Sequence, residues 1–176
     1  FELKRGLLEI ESTTKKLSQE VSINFDELKK TEELISRNES TKQELEILKD
    51  IGIPLEAFGF YKSLTYFTGY VKDKNNVLNL KEELSKITKK FMLFESVAKK
   101  RNFIALFIDI KDKEYANATL QKNNFFPINF ASIANLKGDA PSNLKRIEEE
   151  TAKLQQKRGE IKKRIEKLSQ EYKGFL

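Results

Sequence analysis

From Pro141 to Leu176 the apolar positions form a narrow stripe. Leu144, Ile147, Thr151, Leu154, Arg158, Ile161, Ile165, Leu168, Tyr172 and Phe175 recur at spacings of three and four, and Lys, Glu, Gln and Arg fill most positions between. That rhythm predicts one long helix with a coiled-coil seam, too narrow to be satisfied without a second helix. The other end of the chain supplies one. Leu3, Leu7, Ile10, Thr14, Leu17, Val21, Leu28, Thr31, Ile35 and Leu45 make a second stripe, and Gly52 and Pro54 stop its helix near Asp50. One stretch argues both ways. Asn24 with Glu27 has the pattern of a capping box, Ile23 with Leu28 that of a hydrophobic staple, and Ser22 to Phe25 are weak helix formers. A break at residues 22–25 is as consistent with the pattern as a continuous helix.

Between the stripes the texture changes to aromatic and β-branched residues. Leu64 to Val71 reads as a strand, followed by turn residues Asp73 to Asn76. Leu78 to Lys89 reads as a helix with Leu80, Leu84 and Ile87 on one face. Phe91 to Ala98 and Phe103 to Ile110 read as strands joined by a turn at Lys99 to Asn102, the second being the most apolar segment of the chain. A short helix at Lys113 to Asn123 follows, making contact through Tyr115, Ala116 and Leu120. The last strand, Phe125 to Phe130, contains Pro127, which argues for an edge. Gly138 to Pro141 then turns the chain into the returning helix, with Asp139 as its cap.

This order is that of a ferredoxin-like βαββαβ lobe. The expected class is therefore α+β, an antiparallel coiled-coil helical hairpin with that lobe inserted. Its parts are an outgoing helix at 1–50, the lobe at 51–140 and a returning helix at 141–176. In such a lobe one sheet face carries both helices. Ile104, Leu106, Ile108 and Ile110 should point toward them, leaving Phe103, Ala105, Phe107 and Asp109 on the other face, joined by Tyr66 and Tyr70. Two readings of the aromatics stand side by side. Tyr66, Tyr70, Phe103 and Phe107 form a partner surface, or they pack under the chain's own loops at Leu55 to Tyr61 or Ala131 to Leu136. In the hairpin, setting Leu144 against Leu45 or Leu48 lands Arg158 beside Glu32 and Glu33. A charge on a seam requires such a partner, and Gly159 makes this the softest part of the returning helix. In the same register the residues before Thr14 overhang by roughly 20 Å, at about 1.5 Å per residue.

Composition narrows the chemistry. There is no Cys and no His, which removes disulfides, thiolate and imidazole metal sites and every Ser-His or Cys-His nucleophile pair. No Gly-rich phosphate loop occurs, so no cofactor and no catalytic or metal residue is expected. Asp109 and Asp112, at the end of the central strand, read as structural or capping residues. The net charge of +6 is what Lys-rich solvated helices give, though it could also favour an anionic partner. RNA binding on a ferredoxin-like lobe needs a basic-aromatic pattern on the third strand. Arg101 to Ile108 matches it only at Arg101 and Phe103. No apolar run reaches the roughly 18–20 residues of a membrane span, and no signal-peptide pattern opens the chain. Phe1 in place of Met predicts a piece cut from a longer protein.

Two further runs carry a resemblance. Leu48-Lys49-Asp50-Ile51-Gly52-Ile53-Pro54-Leu55 leads into Gly59 to Leu64 and then Thr65 to Val71, and later Gly138 and Pro141 precede a heptad helix. In this order the sequence resembles the soluble N-terminal half of subunit I of the A/V-type ATPases, equivalent to subunit a of the vacuolar enzyme, in its distal lobe and adjoining helices. The resemblance is clearest over residues 45–176. It implies a non-catalytic stator part on the cytoplasmic side of a membrane-bound, ion-translocating rotary complex. Such a part holds a peripheral-stalk heterodimer of subunits E and G or E and H, meets other subunits of the enzyme and resists torque. It implies no nucleic-acid partner, no membrane insertion by this segment and no residue that conducts ions. The Gly-Thr-Pro often seen in that family before the returning helix stands here as Gly138-Asp139-Ala140-Pro141, which bears on the cap alone. The alternative is a coiled-coil adaptor whose lobe binds RNA or a small molecule.

Overall fold

The structure, a computed structural model, describes residues 2–175; the side chains of Glu2, Leu3, Arg5 and Phe175 lie outside the description, as do Phe1 and Leu176. The seam positions read at Leu3 and Phe175 are therefore not placed. The elements are α1 (Glu2–Leu48), a 3-10 turn (Leu55–Phe58), β1 (Leu64–Val71), α2 (Lys74–Ser85), β2 (Phe91–Ala98), β3 (Arg101–Asp109), a 3-10 turn (Ile110–Asp112), α3 (Lys113–Lys122), β4 (Phe125–Pro127) and α4 (Ala140–Phe175). The class is α+β, with four helices and one antiparallel sheet of four strands. The chain divides into two compact units, residues 1–39 with 147–176, and residues 40–146. The division between the two units falls within α1 and α4. The last turns of α1 and the first turn of α4 belong with the sheet, where Leu45, Leu48, Ala140 and Asn143 are buried.

In the first unit, α1 runs unbroken through residues 22–25. Asn24 caps nothing: its side-chain amide donates to the Glu20 carbonyl oxygen at 2.7 Å, one turn back in the same helix. The reason lies in the phase of burial. Leu17, Val21, Asn24 and Leu28 are half-buried, and Thr31, Ile35 and Asn38 are buried, so one stripe crosses the suspect stretch without a shift. Packing along a continuous stripe outweighs weak local propensity. Asn24 and Asn38 were missing from the apolar pattern because they are polar members of the stripe. Along α4, Ile147 and Ile161 are buried, and Thr151, Leu154, Arg158, Ile165 and Leu168 are half-buried. Toward the start of α1 the stripe opens, and Leu7 and Ile10 are exposed.

In the second unit the strand order is β2-β3-β1-β4. β3 is central: it pairs antiparallel with β1 from Leu64↔Asp109 to Val71↔Asn102, and with β2 from Phe91↔Ile108 to Ala98↔Arg101. Ile104, Leu106 and Ile108 face α2 and α3, where Val71, Val77, Leu80, Leu84, Ala116 and Leu120 complete a buried core. Helix α2 begins earlier than its apolar periodicity suggested. Asp73 and Asn76, read as turn residues, instead form a reciprocal capping box, each side chain accepting from the other's backbone N–H. The helix also stops earlier, leaving Ile87 beyond its end and exposed. At the far end Asp139 caps α4, accepting from the Ser142 N–H at 2.7 Å and the Ser142 hydroxyl at 2.9 Å.

Two backbone details are exacting. β4 lies at the sheet edge, as Pro127 requires, and pairs only through Gly69↔Pro127, Tyr70↔Phe126 and Val71↔Phe125. A Cβ on Gly69 would collide with the Phe126 carbonyl oxygen and the Phe125 ring. The β2–β3 turn is the pair Lys99-Lys100, with φ of 51° and 63°. Both residues are left-handed, as a two-residue turn that matches strand twist demands, and that region disfavours lysine.

Gly69→Ala is expected to cost about 1–3 kcal/mol by expelling β4; denaturant unfolding with exchange protection at Ile128 checks it, because the Ile128 N–H donates to the Thr68 carbonyl oxygen at 2.8 Å. Conversely, Lys99→Asn with Lys100→Gly is expected to raise stability by about 1–2 kcal/mol, read as a higher denaturation midpoint at constant slope.

Candidate interaction site

Among the described residues no group of three His, Cys, Asp or Glu could hold a metal ion. Asp109 accepts from the Lys111 N–H at 3.1 Å and caps the turn after β3, a structural role.

The sheet face opposite α2 and α3 is largely closed by the chain itself. Phe103 is 0% and Phe107 6% exposed, and Tyr66 and Tyr70 are half-buried. This corrects the reading of these four residues as a partner surface. The cover has two pieces, one from the Leu55 to Tyr61 segment named as the alternative and one from Phe130, which the sequence pattern assigns to the last strand. Phe58, from the 3-10 turn after α1, stands 5.3 Å from the Tyr66 ring, 5.6 Å from Phe107 and 6.0 Å from Phe130. Phe130, from the stretch after β4, stands 5.8 Å from Phe103. Edge-on and tilted rings at these separations are favourable pairs.

Carboxylates fasten both pieces. Glu56 accepts from the Gly138 N–H with both oxygens at 3.0 Å, and the Leu55 N–H donates to the Gly138 carbonyl oxygen at 2.9 Å. Its own backbone N–H first, and then that of Gly138, hold the Glu56 carboxyl below its ordinary pKa. Glu44, near the end of α1, accepts from the Ser132 N–H at 2.9 Å.

The cover stops short of β2. Met92 is 61% exposed and Phe94 half-buried on this same face. Between them and the 3-10 turn lies a groove of about 510 Å³, walled by Ile53, Pro54, Leu64, Met92, Phe94 and Phe107, with Lys89 and Lys90 on its lining. The open part of the face is thus one strand away from where the aromatic pattern put it. The signal available in the sequence was the edge position of β2 with a lysine pair at each end, Lys89-Lys90 and Lys99-Lys100.

In the first unit, ion pairs join α1 to α4. Glu27 meets Lys157 at 3.1 Å and Arg164 at 3.0 Å, and Glu32 meets Lys162 at 3.8 Å. Among the described residues no ion pair joins Arg158 to Glu32 or Glu33, contrary to expectation; Arg158 is half-buried on the stripe, and the pairing with α1 falls to the exposed cations Lys157 and Lys162 beside it. Of the seam residues, Ile35, Ile147 and Ile161 are buried and Leu28, Leu154, Ile165 and Leu168 half-buried; in the other unit Leu45 is buried and Leu144 half-buried.

No family model and no curated relative matches the sequence. The fold is similar to a solved structure, the cytoplasmic N-terminal domain of subunit I, a homologue of subunit a, of V-ATPase. The TM-score is 0.60 at 15% identity, over 94% of this chain and 54% of that one. The chain thus spans about half the length of that neighbour. At this identity the likeness is one of fold. Among the described residues no helix is long and apolar enough to cross a membrane.

The Lys157 hydrogen bond, the largest effect, holds the Glu27 carboxyl below its ordinary value; desolvation opposes it, and the Arg164 charge adds to the lowering. A depressed carboxylate stabilises the fold fully above its unfolded pKa, and that contribution is lost as pH falls through the lower folded value. Thermal melts from about pH 7 to pH 3 should therefore show the native chain losing more on acidification than Glu27→Gln, which starts lower. Parallel curves would refute the coupling.

Proposed function

We propose that this chain is a non-catalytic stator segment of a rotary ATPase of the A/V type. It belongs on the cytoplasmic side of the membrane-bound complex, linking a peripheral stalk to the ion-translocating part and resisting torque. The observation that carries this reading is the fold likeness to the subunit I domain, which extends over 94% of the chain. In this reading α1 and α4 form an antiparallel coiled-coil hairpin. Continuous 3-4 stripes on both helices and the ion pairs from Glu27 and Glu32 support it. The sheet with α2 and α3 is a ferredoxin-like distal lobe, supported by the order β2-β3-β1-β4 with every neighbouring pair antiparallel. Its partners are the peripheral-stalk heterodimer of subunits E and G or E and H, and other subunits of the enzyme.

The role suits the residues. A stator transmits force without chemistry, and the sequence has no His, no Cys and no Gly-rich phosphate loop. The competing adaptor with an RNA-binding lobe needs stacking aromatics on β3. Phe103 and Phe107 lie beneath Phe58 and Phe130, out of reach of a base.

Calorimetric titration with a purified peripheral-stalk heterodimer from the same source is expected to give saturable one-to-one binding, and single-stranded RNA none. Absence of stalk binding, together with RNA binding that weakens steeply with salt, would replace the stator by the adaptor.

A further inference from the structure

We propose that the groove over β2 is a docking site for an acidic amphipathic helix of a partner protein. Its walls make the first demand. The 3-10 turn delivers Phe58 onto Tyr66 of β1 and Phe107 of β3, and Met92 and Phe94 of β2 border a groove of about 510 Å³ whose surface is mostly apolar. Filling it takes several large apolar side chains from outside. Methionine at 61% exposure is an adaptable wall for such residues.

Charge makes the second demand. Lys89 and Lys90 are the only charged residues on the lining, both are exposed, and among the described residues neither has an ion pair. An occupant with carboxylates beside its apolar side chains complements that rim, and a basic one is repelled. The shape decides the class. The walls stand off the sheet face, whereas an added strand would pair with the backbone edge of β2, which lysine pairs guard at both ends. The groove opens to solvent, so a small amphiphile would leave part of its apolar surface in water. A helix buries one stripe and keeps its polar side wet. The assignment holds whether or not the chain sits in a rotary enzyme.

The test is selection of a displayed library of helix-forming peptides with randomised faces on the chain, followed by fluorescence anisotropy with the synthesised winner. The expected consensus has apolar residues at i, i+3, i+4 and i+7 flanked by Glu or Asp. Met92→Asp, an exposed position, should weaken the winner by about tenfold. Lys89→Glu with Lys90→Glu should weaken it by about fivefold and admit a Lys-flanked counterpart. Circular dichroism establishes that both variants fold. A basic or extended consensus, or affinity that neither variant changes, overturns the proposal. So does saturable binding of dodecanoate tighter than any peptide, which would give the groove to a small amphiphile. Self-association of the chain abolished by Met92→Asp would give it to a second copy and equally overturn it. Peripheral-stalk binding, measured separately, bears on the stator reading alone.

Discussion

β3 is buried on both sides from Phe103 to Ile108, and the rest of its unit is arranged to meet that condition. A strand with one apolar face needs one layer over it; this one needs two. Helices α2 and α3 provide the first through Leu80, Leu84, Ala116 and Leu120. The second is improvised from irregular chain, a single 3-10 turn and the stretch after β4, each contributing one phenylalanine. Irregular segments carry backbone groups that a helix would satisfy internally. Hence the carboxylates of Glu56 and Glu44, which accept from the N–H groups of Gly138 and Ser132 and hold the two pieces in place. The cover is as wide as two aromatic rings can make it, and the groove over β2 is what they leave bare.

The first unit obeys a different economy. Its stripe is one residue wide and includes Thr31, Asn38 and Thr151, so apolar burial per turn is small. The ion pairs from Glu27 and Glu32 lie at the surface, where each adds little. Helix continuity matters more. With residues 22–25 held helical by the stripe they belong to, α1 has no joint there, and Gly159 of α4 has nothing within 4 Å of where a Cβ would stand.

Much of this was legible beforehand. β1 and β2 have the bounds their alternation and turn residues suggest, because β-branched and aromatic residues between Gly, Asp and Lys punctuation leave little choice. Pro127 announced its edge, and Asp139 its cap, since each answers to local backbone geometry alone. What escaped depends on more distant contacts. Whether Phe103 and Phe107 face a partner or Phe58 is a matter of where residue 58 travels after Gly52 and Pro54, and no periodicity records that. The break at 22–25 was a local signal overruled by a nonlocal stripe. The start of α2 was missed for the opposite reason: Asp73 and Asn76 carry no apolar signal, and their role lies in a reciprocal hydrogen bond. Arg158 was assigned partners by register alone, while Lys157, Lys162 and Arg164, exposed on the flanks of the stripe, take the acids.

The fastening at Gly138 has an architectural corollary. Leu55 and Glu56 follow closely on α1, and Gly138 stands two residues before α4, so the chain enters and leaves the sheet at points hydrogen-bonded to each other. The segment between them is closed at its base, and Glu44 of α1 holds it at a further point through the Ser132 N–H. Changes of length in its exposed turns leave that closure intact. Divergence within the loop would then be tolerated far more readily than change at its stitched base.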